Sequence, residues 1–240
     1  MKQVIYLMLA IITLNACQTS EKIVQPTPCV DGNGTLYNTV KIGNQLWMKE
    51  NLRATKYNDG TPIHYEPNFI SWSNITFDAM YAWIYNDSSN YAVPYGAIYS
   101  GNVVVPELNG NKNICPGGWH VPTKDDIDEL IIYLGGQYDA GGKMKEAGTL
   151  HWNSPNMGAT NSSGFNAVPN YIGSIDKLGD VALYLSSTKD GEVYEIIPGI
   201  PETKIYIIQL TNNNPTCYLG KVSSTVYSGI RCISDVKVDE

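Results

Sequence analysis

Charge is scarce in this 240-residue chain: Asp, Glu, Lys and Arg together make up only 16 %. No Lys/Arg-rich run occurs and the formal net charge is −7, so nucleic-acid binding, which needs a basic patch to displace counterions, is set aside. Histidine is equally sparse. His64, His120 and His151 share no H-x-H or H-E-x-x-H spacing, and no C-x-x-C is present. A zinc centre is therefore not expected, and neither is any other cofactor. Only three Phe residues occur, which leaves the aromatic roles to 17 Tyr and 5 Trp. No internal repeat is visible.

The apolar run at residues 4–14 is too short to span a bilayer. It follows Lys2 and precedes small residues and a cysteine, the pattern of an export signal. Its end, Leu14-Asn15-Ala16-Cys17, resembles the bacterial lipobox, with Asn15 standing where Ala or Ser is usual. The expectation is a signal peptide over 1–16, lipidation at Cys17, a polar Pro-containing stalk over 17–28 and one domain over 29–240. Ordinary secretion with cleavage near Ala16 is the plainer alternative. Lipidation would make a membrane the first partner and place the domain in the cell envelope, at the outer membrane, on either face. Export also makes the remaining cysteines, Cys29, Cys115, Cys217 and Cys232, candidates for disulfides, with three pairings open.

Asp31-Gly32-Asn33-Gly34 marks a turn. Leu36, Val40, Ile42, Leu46 and Trp47 mark short strands, punctuated by Gly43-Asn44 as a hairpin. Residues 66–107, rich in Asn, Ser, Tyr and Trp, read as long loop-like structure with short strands. The clearest helix begins at Thr123. Asp126 completes a capping pair, Ile127, Leu130, Ile131 and Leu134 form one apolar face, and Gly135-Gly136 ends it. A second short helix is expected over 140–148, then strands near 181–186, 193–197, 204–210 and 228–234. The fold class these elements define is α+β.

Five blocks, DGNGTLYNTVKIGNQLWMKENLRATKYNDGTPI, YGAIYS, ICPGGWHVPTKDDIDEL, GATNSSGFNAVP and YSGIRCISD, together resemble the Fibrobacter succinogenes major paralogous domain of exported proteins and lipoproteins. The resemblance runs from about Asp31 to Asp235. LYLSST (183–188) departs from the Trp-Ser-Ser type block usual there, and residues 192–215 look individual to this chain. More distantly, GWHVPT with its acidic helix and the late GIRC resemble the formylglycine-generating domains. That resemblance implies a C-type-lectin-like, mainly antiparallel sheet with one or two helices and long loops. It does not imply their oxidase activity, because the closely spaced cysteine pair is missing. It further implies a Cys115–Cys232 disulfide, with Cys29–Cys217 as the remaining pair.

Trp119-His120 could be chemistry or scaffold. His120 has no triad-like company, and an extended segment would point Trp119 and Val121 one way and His120 the other. Glu66-Pro67-Asn68 and Tyr85-Asn86-Asp87 imitate a lectin calcium site, but they precede the main helix rather than follow it and read as coincidence. The expected ligand-binding surface is more diffuse: Trp72, Tyr81, Trp83, Tyr85, Asn86, Asp87, Tyr91 and Tyr95, with Tyr99, Asn74 and Asn90 nearby. Aromatic faces stack on sugar rings and also dominate protein-binding hot spots. The same aromatics could instead be core. No spacing selects a catalytic pair among Glu66, Asp78, Asp87 and Glu107. The expected role is thus a non-enzymatic binder of a glycan or an envelope protein; a structural or accessory subunit of a surface assembly, such as an adhesin or pilus-like complex, is the alternative.

Overall fold

In the computed structural model, residues 28–68, 78–173, 177–191, 194–197 and 200–238 are described. The expected signal peptide, Cys17, nearly all of the expected stalk, Trp72 and Asn74 lie outside the described residues.

The chain opens with the hairpin β1 (Thr39–Ile42) and β2 (Gln45–Met48), turning at Gly43 with φ 61°. Then come β3 (His64–Tyr65), β4 (Met80–Ala82), α1 (Ser88–Tyr95), β5 (Ile98–Ser100), α2 (Pro106–Asn109), β6 (Trp119–His120), α3 (Lys124–Tyr133) and α4 (Gln137–Met144). The last part is strand: β7 (Val181–Lys189), β8 (Tyr194–Ile197), β9 (Ile200–Glu202), β10 (Lys204–Thr211), β11 (Tyr218–Ser223), β12 (Tyr227–Ser228) and β13 (Ile233–Ser234). They assemble as β1-β2-β13-β6, β11-β10-β7, β12-β5-β4-β3 and the ribbon β8-β9. Among the described residues, these strands pair antiparallel except β3 with β4. The fold is α+β.

Strand alternation separates the two larger core clusters, beside a small third one of Ala82, Ile84 and Ile98. Along β7, Val181, Leu183 and Leu185 enter one core cluster, while Ala182 and Tyr184 enter the other. Trp47 and Met48 of β2 likewise part company, because successive side chains leave a strand on opposite faces. Helix α3 packs into the second cluster through Ile127, Leu130, Ile131 and Leu134. Thr123 and Asp126 form a reciprocal capping box at its start, as their spacing predicts.

Cys115 and Cys232 are disulfide-bonded, with Cα atoms 5.8 Å apart. The Cys29–Cys217 pair does not form; both thiols are free and buried. The division of the core explains this correction. Cys29 belongs to the first cluster and Cys217 to the second, so strands stand between them.

Other expectations shift. The second helix begins at Gln137 rather than near 140 and ends at Met144. Residues 228–234 are two separate strands in different sheets, and β11 has no counterpart in the periodicity reading. Among the described residues of 66–107, regular structure takes up much of what reads as loop. It includes α1, which carries no apolar stripe and breaks at Val93 (φ −121°, ψ 125°), where the following Pro94 disfavours helical backbone.

Candidate aromatic binding surface

Tyr85 and Asn86 are consecutive residues with left-handed backbone, at φ 52° and φ 58°. Such a conformation is costly for a bulky side chain, on the order of 1 kcal/mol or more. The consequence is positional. Tyr85 stands 52 % exposed, with its ring 5.1 Å from that of Tyr91 at an interplanar angle of 75°. Asp87 then caps α1, accepting from Asn90 N at 3.1 Å and Asn90 Nδ2 at 2.6 Å. The Asn90 contacts hold the Asp87 carboxyl below its usual range.

Tyr91 and Tyr95 lie 5.9 Å apart, and Tyr95 meets the His151 ring edge-on at 5.5 Å. Gly96, which follows Tyr95, lets the chain turn against the core: a Cβ there would come within 2.6 Å of Asn51 Cβ and 2.8 Å of Leu52 O. Asn51 Nδ2 in turn donates to Tyr95 O at 2.8 Å. A second group begins at Tyr65, 5.2 Å from Tyr81, which meets Trp83 at 5.8 Å and 84°. The Tyr65 hydroxyl donates to Asn86 Oδ1, joining the two groups.

The question of core or surface thus has a graded answer. Tyr99 is fully buried, with its hydroxyl on Ala54 O at 2.8 Å, and is core. Tyr81, Trp83, Tyr91 and Tyr95 are half-buried, packing inward on apolar clusters while part of each ring stays accessible. Tyr85 and Tyr65 are exposed. Burial raises the pKa of Tyr81 and Tyr95, with neighbouring tyrosines adding to it and Glu146 contributing at Tyr95. These hydroxyls are therefore neutral donors and acceptors near pH 7.

Two contributors were not legible beforehand. Tyr65 joins because β3 pairs in parallel with β4, setting it beside Tyr81. His151 arrives from the loop after α4, and nothing in its spacing pointed to tyrosines more than fifty residues earlier. Its Nδ1 lies 2.9 Å and 2.8 Å from the two Glu146 oxygens.

The remaining candidates separate. His120 sits on β6 between buried Trp119 and Val121, with Nδ1 2.6 Å from Asp235 Oδ1 and Nε2 3.2 Å from Asp126 Oδ2. Asp126 is the capping carboxylate of α3, so His120 belongs to the scaffold. His64 is exposed on β3, in the wall of a cavity of about 400 Å³ with Asp78 and Lys112. The three histidines thus have separate surroundings. Glu66 Oε1 accepts from Asn68 N at 2.7 Å, a local turn, and Glu107 pairs with Lys189. Among the described residues, no three His, Cys, Asp or Glu side chains group as metal ligands.

Mainly antiparallel sheets, a capped helix latched by a disulfide and half-exposed aromatic loops define an α+β domain with its candidate site on its connections. The chain belongs to the family described as the Fibrobacter succinogenes major domain, whose model matches residues 40–207. No curated protein and no solved structure matches the chain.

Proposed function

We propose that this protein is a non-enzymatic, lipid-anchored envelope protein that binds a ligand, a glycan or a protein, through Tyr65, Tyr81, Trp83, Tyr85, Tyr91 and Tyr95. The observation that carries the reading is the left-handed Tyr85-Asn86 step. Backbone strain that holds a large aromatic side chain in solvent, beside others of its kind, is typical of a recognition surface. Three of the acids in this stretch, Glu66, Asp87 and Glu107, each have a structural partner, which supports a binding role over catalysis. The lipobox-like Leu14–Cys17 segment supports anchoring at the outer membrane. A C-type-lectin-like arrangement, drawn from the GWHVPT and GIRC blocks, accords with a ligand held by loops.

A glycan array and a pull-down from envelope extracts, each run with the wild type and with Tyr85→Asn, test the reading. Blank results from both assays with the wild type would end it. The assembly alternative draws on a different observation: Ile132, Tyr133 and Tyr138 are strongly exposed where α3 passes into α4. Co-purification of a neighbouring envelope protein in fixed stoichiometry, abolished by Ile132→Asp and unaffected by Tyr85→Asn, would favour it.

A further inference from the structure

The rings of Tyr85, Tyr91, Tyr95 and His151 form a file with successive centroid spacings of 5.1, 5.9 and 5.5 Å. The planes do not lie flat together; the interplanar angles are 75°, 34° and 85°. Two of the three steps are edge to face and the middle one is tilted toward parallel, so ring faces and phenol hydroxyls both occur along the row. A polypeptide hot spot is better served by a dry apolar pocket. A chain of pyranose rings, with apolar C–H faces and a rim of hydroxyls, fits such a mixed row more closely.

Charge narrows the class further. From Glu66 to Glu107 the chain contains no Lys, Arg or His, while it carries Glu66, Asp78, Asp87 and Glu107. An anionic sugar would approach carboxylates here without an ammonium or guanidinium from this stretch to receive it, and recognition of carboxylates and sulfates depends on such partners. His151 supplies the polar end. Its Nδ1 is engaged by both Glu146 carboxylate oxygens, so Nε2 is the ring nitrogen turned to other partners. A sugar hydroxyl, which both donates and accepts, suits a ring nitrogen beside Tyr95 in either role.

We infer that the file from Tyr85 to His151 is a subsite for a neutral glycan, with His151 Nε2 hydrogen-bonding a sugar hydroxyl. This rests on the ligand-binding reading above and commits it to one ligand class. The test is affinity electrophoresis and titration calorimetry of the full chain at 150 mM salt. Laminarin, mannan and xylan serve as neutral polymers, and polygalacturonate and heparin as anionic ones.

Binding to at least one neutral polymer and to neither anionic polymer is expected. Tyr85→Asn and His151→Ala should each weaken binding tenfold or more. Because His151→Ala also removes the Glu146 contact, its melting temperature is compared with that of Glu146→Gln, which should keep measurable binding. Failure of all three neutral polymers, preference for an anionic one, or unchanged affinity in His151→Ala overturns the inference. If the polymers fail but a protein is captured through Tyr85, the glycan assignment falls while the binding surface stands. If Tyr85→Asn alters no interaction of any kind, the binding surface falls as well.

Discussion

Arg231 Nε donates to Asn51 Oδ1 at 2.9 Å, within a core where each residue is 1 % exposed. The guanidinium also bonds the carbonyls of Phe165 and Asn166, and stands 4.4 Å from the Phe165 ring centroid. Asn51 passes the constraint outward through its bond to Tyr95 O. The residue preceding the disulfide cysteine Cys232 is thereby connected to the aromatic file.

Arg231→Met would remove the donors to three buried acceptors at once, at about 1–3 kcal/mol for each left unpaired. Asn51→Ala would leave Arg231 Nε and Tyr95 O unpartnered, at about 2–3 kcal/mol. Both appear as lowered urea midpoints with an unchanged slope. Asn51→Ala should in addition weaken ligand binding more than its stability loss explains, since it frees the Tyr95 backbone.

The Cys115–Cys232 bond closes a sequence separation of 117 residues, so Cys232→Ser should destabilise by about 4–5 kcal/mol in the chain-entropy account. Burial pushes the Cys29 and Cys217 thiols up to about 12, with Glu50 and Asp31 adding to the effect at Cys29. Both should resist a thiol reagent at pH 8 in folded Cys17→Ser protein and react fully in denaturant. Peptide mapping that found Cys29 joined to Cys217 would contradict the two-sided core.

The features legible in the sequence were those set by neighbours along the chain. Thr123 and Asp126 are three residues apart, and one turn of helix brings them together whatever surrounds them. Trp119, His120 and Val121 alternate because an extended segment must. The Cys115–Cys232 link came from the resemblance. The partition of tyrosines into core and surface was not legible, because Tyr99 and Tyr85 have similar local contexts and differ only in which sheet or turn receives them. Likewise, the meeting of His151 with Tyr95 and the separation of Cys29 from Cys217 depend on layers that only the assembled sheets create.

His120 gives the scaffold a pH dependence. The hydrogen bond to Asp126, then the one to Asp235, raises its pKa above 6.5, although partial burial opposes this. A raised folded value means that its contribution is fully present below about pH 6.5 and is lost as pH climbs through the higher folded value. Asp126 runs the other way. Its pKa falls from 3.8 to about 2 because bonds to His120 and Thr123 outweigh the largest single influence, burial, so its contribution fades as pH drops below about 3.8. Denaturation midpoints should therefore show a plateau between about pH 4 and 6.5 from this cluster. His120→Asn should flatten the alkaline decline and leave α3 folded.

Lys145 is wholly buried, yet its ammonium donates to Met157 O, Thr211 O and Asn214 O at 2.8–2.9 Å. Burial lowers its pKa from 10.5 to about 8, a cost to the charged form of roughly 3 kcal/mol. Orphaning three carbonyls costs about 1–3 kcal/mol each, so the bonds outweigh the desolvation. Lys145→Met should lower stability at pH 7 by about 2–4 kcal/mol despite its good apolar fit. A stabilised Lys145→Met would show that the three carbonyls find other donors.

Tyr85→Asn separates recognition from folding. Asn accepts left-handed backbone more readily than Tyr, so the substitution relieves strain on the order of 1 kcal/mol at φ 52°. It also removes the edge-to-face contact with Tyr91, worth about 0.5–1.5 kcal/mol. The two nearly cancel, and the ring is already more than half exposed, so little apolar burial is lost. Thermal and urea unfolding should thus change by less than about 1 kcal/mol. Ligand affinity should nevertheless fall tenfold or more, because the exposed face is what a ligand meets first. A variant that unfolds as readily as one altered in the core would show Tyr85 to be a structural side chain; one that keeps both stability and affinity would show the strained step to have no part in binding.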